Sequence, residues 1–365
     1  MSEQDPKLVI SSDGIITKYD DIMTTTRTVI AMTNLTIDIQ KFFKYMPITQ
    51  YTPIEKRRGR KRRVQPPVHI EKLQSGSIIS MKYGDNTKGA ILKKKKYKKS
   101  TMTTITTPMN TIVKKNDDYF RHSVSCVMML EDNKQINIKV PTNGKLQMTG
   151  CKTDNHSVEA VIHLYKIMQE VEKWTNEKLF VYNNEKRKEK RSEEQEVLRV
   201  TYNVVMQNKD FKIGFRINRQ NLDRFINTKT NFYSIFEAST STGINIKIEN
   251  KNIKNRSLLH IEYDYRNDLT KTTQIPYNEY YELLDEKDKE LEQEKKYLTF
   301  FVFSSGSIIM SGRESNMREL FYEVVNILIK NRDEFEEKAF DRKNKKVKKE
   351  KRTKIEIESS ESEDC

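Results

Sequence analysis

The chain has 365 residues, 35% hydrophobic and 33% charged, so one or two compact cores with charged extensions account for it better than one large core. Its 67 Lys and Arg against 52 Asp and Glu give a formal charge of +15, which favours an anionic partner and makes nucleic acid the leading class. Cys126, Cys151 and Cys365 lack the spacing of a disulfide framework or zinc site, and no apolar run approaches the ~20 residues of a membrane span, so the expectation is a reducing intracellular setting with no membrane association and no signal peptide.

In chain order, a polar leader (1–23) precedes a first strand at 28–32 and a short helix at 37–46 carrying Phe42 and Phe43. A basic insertion at about 52–118 follows, with Lys/Arg runs at 56–63 and 93–99 flanking a stretch of β character at 76–83; runs this basic repel one another and read as exposed arms. Strand pattern resumes at 124–130. Residues 136–140 reach a turn at 141–144 and return through 145–149, a hairpin whose Gly144 supplies the positive φ of the turn. Val158, Val161, Ile162, Tyr165 and Met168 then fall at helical spacing, and 170–196 reads as helix extension followed by a charged linker.

The second half begins with a strand at 199–205, continues through 212–217, and has a short helix near 220–225 and strands at 232–236 and 244–248. A second insertion, about 250–296, contains a strand at 258–263 and a charged helical run at 280–296. A hairpin at 298–303 and 307–311, turning at Gly306, leads to a helix with Met317, Leu320, Phe321, Val324 and Leu328 on one face. The tail, 339–365, is basic and then acidic and reads as disordered.

The two hairpins are written alike. Asn143-Gly144-Lys145-Leu146-Gln147-Met148-Thr149-Gly150 corresponds to Ser305-Gly306-Ser307-Ile308-Ile309-Met310-Ser311-Gly312, each followed by an amphipathic helix. The interval exceeds the about 20–50 residues of solenoid repeats, so the duplication points to one fold made of two similar halves.

On these motifs the chain resembles a divergent TATA-box-binding protein swollen by insertions. The resemblance covers about half the chain and implies an α+β fold: two pseudo-symmetric repeats (24–180 and 197–338, joined by a linker at 181–196) form a curved antiparallel saddle with long helices on its convex face. The Lys, Asn and Ile bias and the outsized loops are similar to versions carried by large DNA viruses of eukaryotes, which implies work in a host nucleus or a cytoplasmic viral factory, or packaging in the virion. The implied partners are double-stranded A·T-rich DNA, held by its minor groove, a transcription-factor-B-like protein and RNA polymerase. No cofactor is implied.

Alternation along strands assigns residues to faces: if Leu146 and Met148 pack beneath a helix, Gln147 and Thr149 face the groove, and likewise Ile309 and Ser311 opposite Ile308 and Met310. The resemblance also implies that Phe303 and Phe236 wedge into base steps, that Asn203 is the central minor-groove amide, and that Val205 and Phe301 line the floor. The first half departs from the pattern. Pro141, or Val140 if the turn carries one extra residue, stands at one wedge position and Val124 or Ser123 at its partner. Pro141, Lys139 and Gln147 are what this half offers in place of the aromatics and central amide, so kinking should be unequal at the two ends of the site.

Enzyme readings find no support in sequence: His69, His122, His156, His163 and His260 are scattered, with no zinc-protease motif, nucleophile elbow or phosphate loop. Two further readings stand beside the initiation factor, an architectural or packaging protein without promoter specificity and an interaction scaffold that has lost DNA binding.

Overall fold

A computed structural model describes residues 18–51, 73–90, 122–183, 196–237, 239, 242–250, 254 and 256–337. The two Lys/Arg runs, most of the leader and linker, and the tail therefore lie outside the described residues.

The elements follow one another as β1 (Thr24–Thr33), β2 (Leu35–Ile37), α1 (Ile39–Tyr45), β3 (Ser77–Tyr83), β4 (Asn86–Gly89), β5 (Ser123–Leu130), β6 (Lys134–Pro141), β7 (Lys145–Cys151), α2 (Asp154–Thr175) and β8 (Phe180–Tyr182). Then come β9 (Leu198–Lys212), α3 (Arg219–Lys229), β10 (Tyr233–Ile235), β11 (Gly243–Glu249), β12 (Ser257–Asp264), β13 (Leu269–Pro276), α4 (Tyr277–Glu282), α5 (Glu286–Gln293), β14 (Tyr297–Phe303), β15 (Ser307–Gly312), α6 (Met317–Lys330) and α7 (Arg332–Phe335). The class is α+β, with antiparallel pairing in every ladder whose register is resolved.

Two compact units divide the chain within β9. Of the described residues, the first comprises those within 27–204 and 257–283, and the second those within 18–26, 205–256 and 284–337. The second insertion is thus split. Its hairpin β12–β13 and α4 belong to the first unit, while α5 stays with the second.

In the first unit the strands run β4-β3-β5-β6-β7-β1, and β12 pairs with β9 through Leu259↔Tyr202 to Tyr263↔Leu198. Alternation sends Val29 and Ala31 (β1), Ile136, Ile138 and Val140 (β6) and Leu146 and Met148 (β7) to one face. Val161, Leu164, Tyr165 and Met168 of α2 join the same core, so α2 lies on that face. Thr153 caps α2, accepting from His156 N, and Asn176 ends it in the left-handed conformation. The helix stops there because the chain turns into β8, which pairs with β2 in a small separate ladder where a charged linker was expected.

The second unit runs β10-β11-β14-β15-β9. Ile244, Ile246, Leu298, Phe300, Val302, Ile308 and Met310 bury one face against Met317, Phe321, Val324 and Leu328 of α6. The Gly144 and Gly306 turns both have positive φ, 71° and 80°. A side chain at either would strike a backbone carbonyl, that of Leu35 or of Phe215, so glycine is required at both.

The helical run expected at 280–296 is two short helices. Pro276 precedes α4, and Asp285 opens α5 by accepting from Asp288 N. The expected strand at 212–217 is the end of β9 and a bend, with Ile217 bridging to Glu336.

Candidate nucleic-acid interface

In the second unit, burial of Leu298, Phe300 and Val302 leaves Thr299, Phe301 and Phe303 on the opposite, open face of β14. Register builds two rows across that face. One reads Asn245, Phe301, Ile309, Asp210; the other reads Lys247, Thr299, Ser311, Asn208. The Phe301 and Phe303 rings meet edge to face at 4.9 Å and 89°, and both are half-buried. Gly243 lies opposite Phe303, and a Cβ there would come within 3.0 Å of the Phe301 ring, so the absence of a side chain is what admits the aromatic. Thr299 Oγ1 donates to the Ser311 carbonyl at 3.2 Å, which fixes its rotamer on the face.

Four of the expected residues, Phe301, Phe303, Ile309 and Ser311, are therefore brought together. Phe236 is elsewhere in character: it is half-buried beyond the end of β10, with the Arg219 guanidinium 5.0 Å above its ring. The ring contact of Phe303 is with Phe301. Val205 is half-buried.

The open face of the first unit is polar. Gln147 stands between Ile30 and Lys139, and Thr149 between Thr28 and Asn137. Pro141 ends β6 opposite Ser123. Lys139, Gln147 and Thr149 thus share one surface as the alternation predicts, a cation and two hydrogen-bonding groups on a β surface with few apolar side chains.

Asn203 requires a correction. Leu198, Val200 and Tyr202 face the core of the first unit, which turns Arg199, Thr201 and Asn203 to its open face, as expected. There, however, the insertion covers them. Asn203 is only 1% exposed and its Nδ2 donates to Tyr280 Oη at 2.9 Å. Thr201 shares a 2.9 Å hydrogen bond with the buried His260. An amide so enclosed does not reach a groove edge. Tyr280 was hidden from sequence reasoning because the run containing it reads as a solvated helix, and nothing local says that α4 covers β9.

Asn245, Lys247, Asn208 and Asp210 are the other residues the sequence reading missed. Their signal is cross-strand register, which a single sequence does not carry. Among the described residues, no three His, Cys, Asp or Glu side chains converge as a metal site, and no helix is long and apolar enough to cross a membrane. Burial pushes the Cys126 thiol up to about 12 and the Cys151 thiol up to about 11, so both are packed thiols and not nucleophiles.

No family model matches the chain. It is similar to uncharacterized protein 335L of Invertebrate iridescent virus 6, 23% identical over 219 residues that cover 58% of this chain and 60% of that relative.

Proposed function

We propose that this protein is a TATA-box-binding-protein-like initiation factor that binds A·T-rich promoter DNA through the minor groove, bends it, and positions a factor-B-like protein and RNA polymerase in an infected cell. The observation that carries the reading is the open face of the second unit, where Phe301 and Phe303 stand beside Ile309 with Thr299, Ser311 and Asn245 around them. An apolar floor with sparse hydroxyl and amide groups matches the few hydrogen-bonding groups of an A·T minor groove.

Strand order supports the same reading. Within each unit the long strand that opens the half is neighboured by the strand that precedes the long helix: β1 by β7 in the first, with the short β2 between β1 and α1, and β9 by β15 in the second. This is the grammar the resemblance implies for two related halves.

The energetics are adequate. A phenylalanine buries at most ~250 Å² and both rings are already largely covered, so each gains at most about 2 kcal/mol on insertion. Unstacking one base step costs a few kcal/mol. The rings can therefore offset a kink but cannot supply affinity as well, which falls to phosphate contacts.

Enclosure of Asn203 favours a second reading, an architectural DNA-binding protein without promoter specificity, because the amide that would read the centre of the site is withdrawn. Gel-shift titration on A·T-rich and G·C-rich duplexes at matched salt separates the two. Preference for A·T-rich DNA is the expected result; equal affinity selects the architectural protein, and no binding at low salt excludes both.

A further inference from the structure

We infer that the inserted hairpin of the first unit pairs two copies of this chain, the outer edge of β13 adding to the same edge of a second molecule in an antiparallel, two-fold ladder. This concerns the first unit alone and does not rest on DNA binding.

β13 is built as an open edge. It is eight residues long, and among the described residues it pairs with β12 alone. Only alternate residues of a strand aim their N–H and C=O at one neighbour, so the others point away from β12. No backbone hydrogen bond from outside the hairpin, among the described residues, reaches 269–276. Leu269 to Gln274 are exposed one after another, so both faces of the strand stand in solvent, and Leu269 is 64% exposed. Other edges are short or closed. β4 has four residues and β8 three. β10 is closed by Asn227, whose side chain accepts from Ser234 N at 3.0 Å and donates to Ser234 O at 3.2 Å.

The devices that keep an edge from pairing are missing from β13. Its register with β12 runs without a bulge from Ser257↔Pro276 to Asp264↔Leu269, and proline comes only at the last position. Its one cation, Lys271, lies 3.6 Å from Glu262 of β12. The hairpin is also held before it meets a partner. Asp264 accepts from Arg266 N at 2.9 Å, Tyr263 Oη donates to Asp268 at 2.7 Å, and Lys166 of α2 pairs with Asp268 at 2.9 Å. Ordering cost on association is correspondingly low.

The occupant is a second copy because the strand complements itself. A two-fold ladder is centred on one residue facing its own copy, since the outward-aimed groups of both strands must coincide. Centred on Thr272, it sets Lys271 opposite Thr273, Thr270 opposite Gln274, and each exposed Leu269 opposite an isoleucine, Ile275. All of 269–275 is then paired with no like charges opposed. Centring on Lys271 would oppose two ammoniums, and centring on Thr273 would set Pro276 against Thr270 and leave Leu269 unpaired.

A ladder this short is a small interface, so pairing is weak and concentration-dependent. Sedimentation velocity of the full chain without DNA is expected to show a monomer passing to a dimer over about 1–100 µM. Thr272→Lys sets two ammoniums opposite each other and Thr272→Glu two carboxylates. Each variant alone should weaken the dimer about tenfold or more, and an equimolar mixture should restore it as a heterodimer, with native circular dichroism throughout. In a Cys365→Ser background, where Cys126 and Cys151 are buried, Thr272→Cys should cross-link on mild oxidation. Thr270→Cys should not, because its copies stand about 13 Å apart along the strands. A monomer at every concentration overturns the proposal, whether the edge is then open or taken by another segment or another protein. So does a dimer that Thr272→Lys and Thr272→Glu leave as strong as that of the wild type.

Discussion

Asn203 and Tyr280 bury one another: the asparagine amide donates to the tyrosine hydroxyl at 2.9 Å, and the two residues are 1% and 4% exposed. The pair ties α4 to β9 and turns a groove-reading position into an interior one. Tyr280→Phe keeps the ring and removes the acceptor, so it should cost about 1–3 kcal/mol. The double variant with Asn203→Ala should cost less than the sum of the two single changes, with a coupling of about 0.5–3 kcal/mol. Urea unfolding of the four proteins measures it; additivity would mean that the two side chains do not interact.

Why the sequence shows the hairpins and not this pair follows from where the information lies. Gly144 and Gly306, the alternation around Met148 and Met310, and the helical spacing of Val161, Leu164, Phe321 and Val324 are local, and the elements they predict are present. The partner of β12 is not local. Nothing within 258–263 says that these residues pair with 198–202, or that they join the unit of the first half. Along β9 the alternation also changes phase: Leu198, Val200 and Tyr202 are buried on even numbers, Gln207, Lys209 and Phe211 on odd ones. Gln207 and Lys209 read as surface residues, yet their side chains donate to Met317 Sδ at 3.2 Å and Ile22 O at 2.5 Å. Polar residues buried through one specific partner each are what pattern reasoning assigns to solvent.

Arg313 and Glu292 form a two-pronged ion pair at 2.6 and 2.7 Å, with side chains only 9% and 10% exposed. It fastens α5 to the end of β15. Glu292→Gln leaves the guanidinium enclosed without its carboxylate and should cost about 3–5 kcal/mol, whereas replacing both residues by apolar ones of similar volume should cost far less. Urea midpoints for the single and double variants test this, and a larger loss in the double variant would contradict it.

His163 sets a pH limit on the first unit. Burial, then the neighbouring Lys166, holds its pKa below the ordinary 6.5, against the opposing pull of Glu159 and Glu131. Its ring lies against Gly76, where a Cβ would come within 2.7 Å, and Nε2 is 3.4 Å from Ser75 Oγ. Since the folded state binds the proton more weakly, the unfolded state takes up more protons below its own pKa. Stability should therefore be level above about pH 6.5 and decline as the pH falls below it. His163→Gln should flatten the decline between about pH 7 and 5 in thermal melts, and an unchanged slope would assign it to other groups.

Asp210 stands beside Ile309 at one end of the Phe301 row, exposed, and puts a carboxylate on the surface proposed to meet DNA. Its repulsion of backbone phosphates is screened over ~8–10 Å at ordinary salt, so its effect is modest and salt-dependent. Asp210→Asn should strengthen duplex binding several-fold at low salt, with the gain shrinking as salt rises. Phe301→Ala in the same background should reduce the bend measured by energy transfer between duplex ends while leaving that gain in place, because the charge acts on phosphates and the ring on base steps. If Asp210→Asn leaves affinity unchanged at every salt concentration while DNA still binds, the duplex is held elsewhere and the open face of the second unit is not the interface.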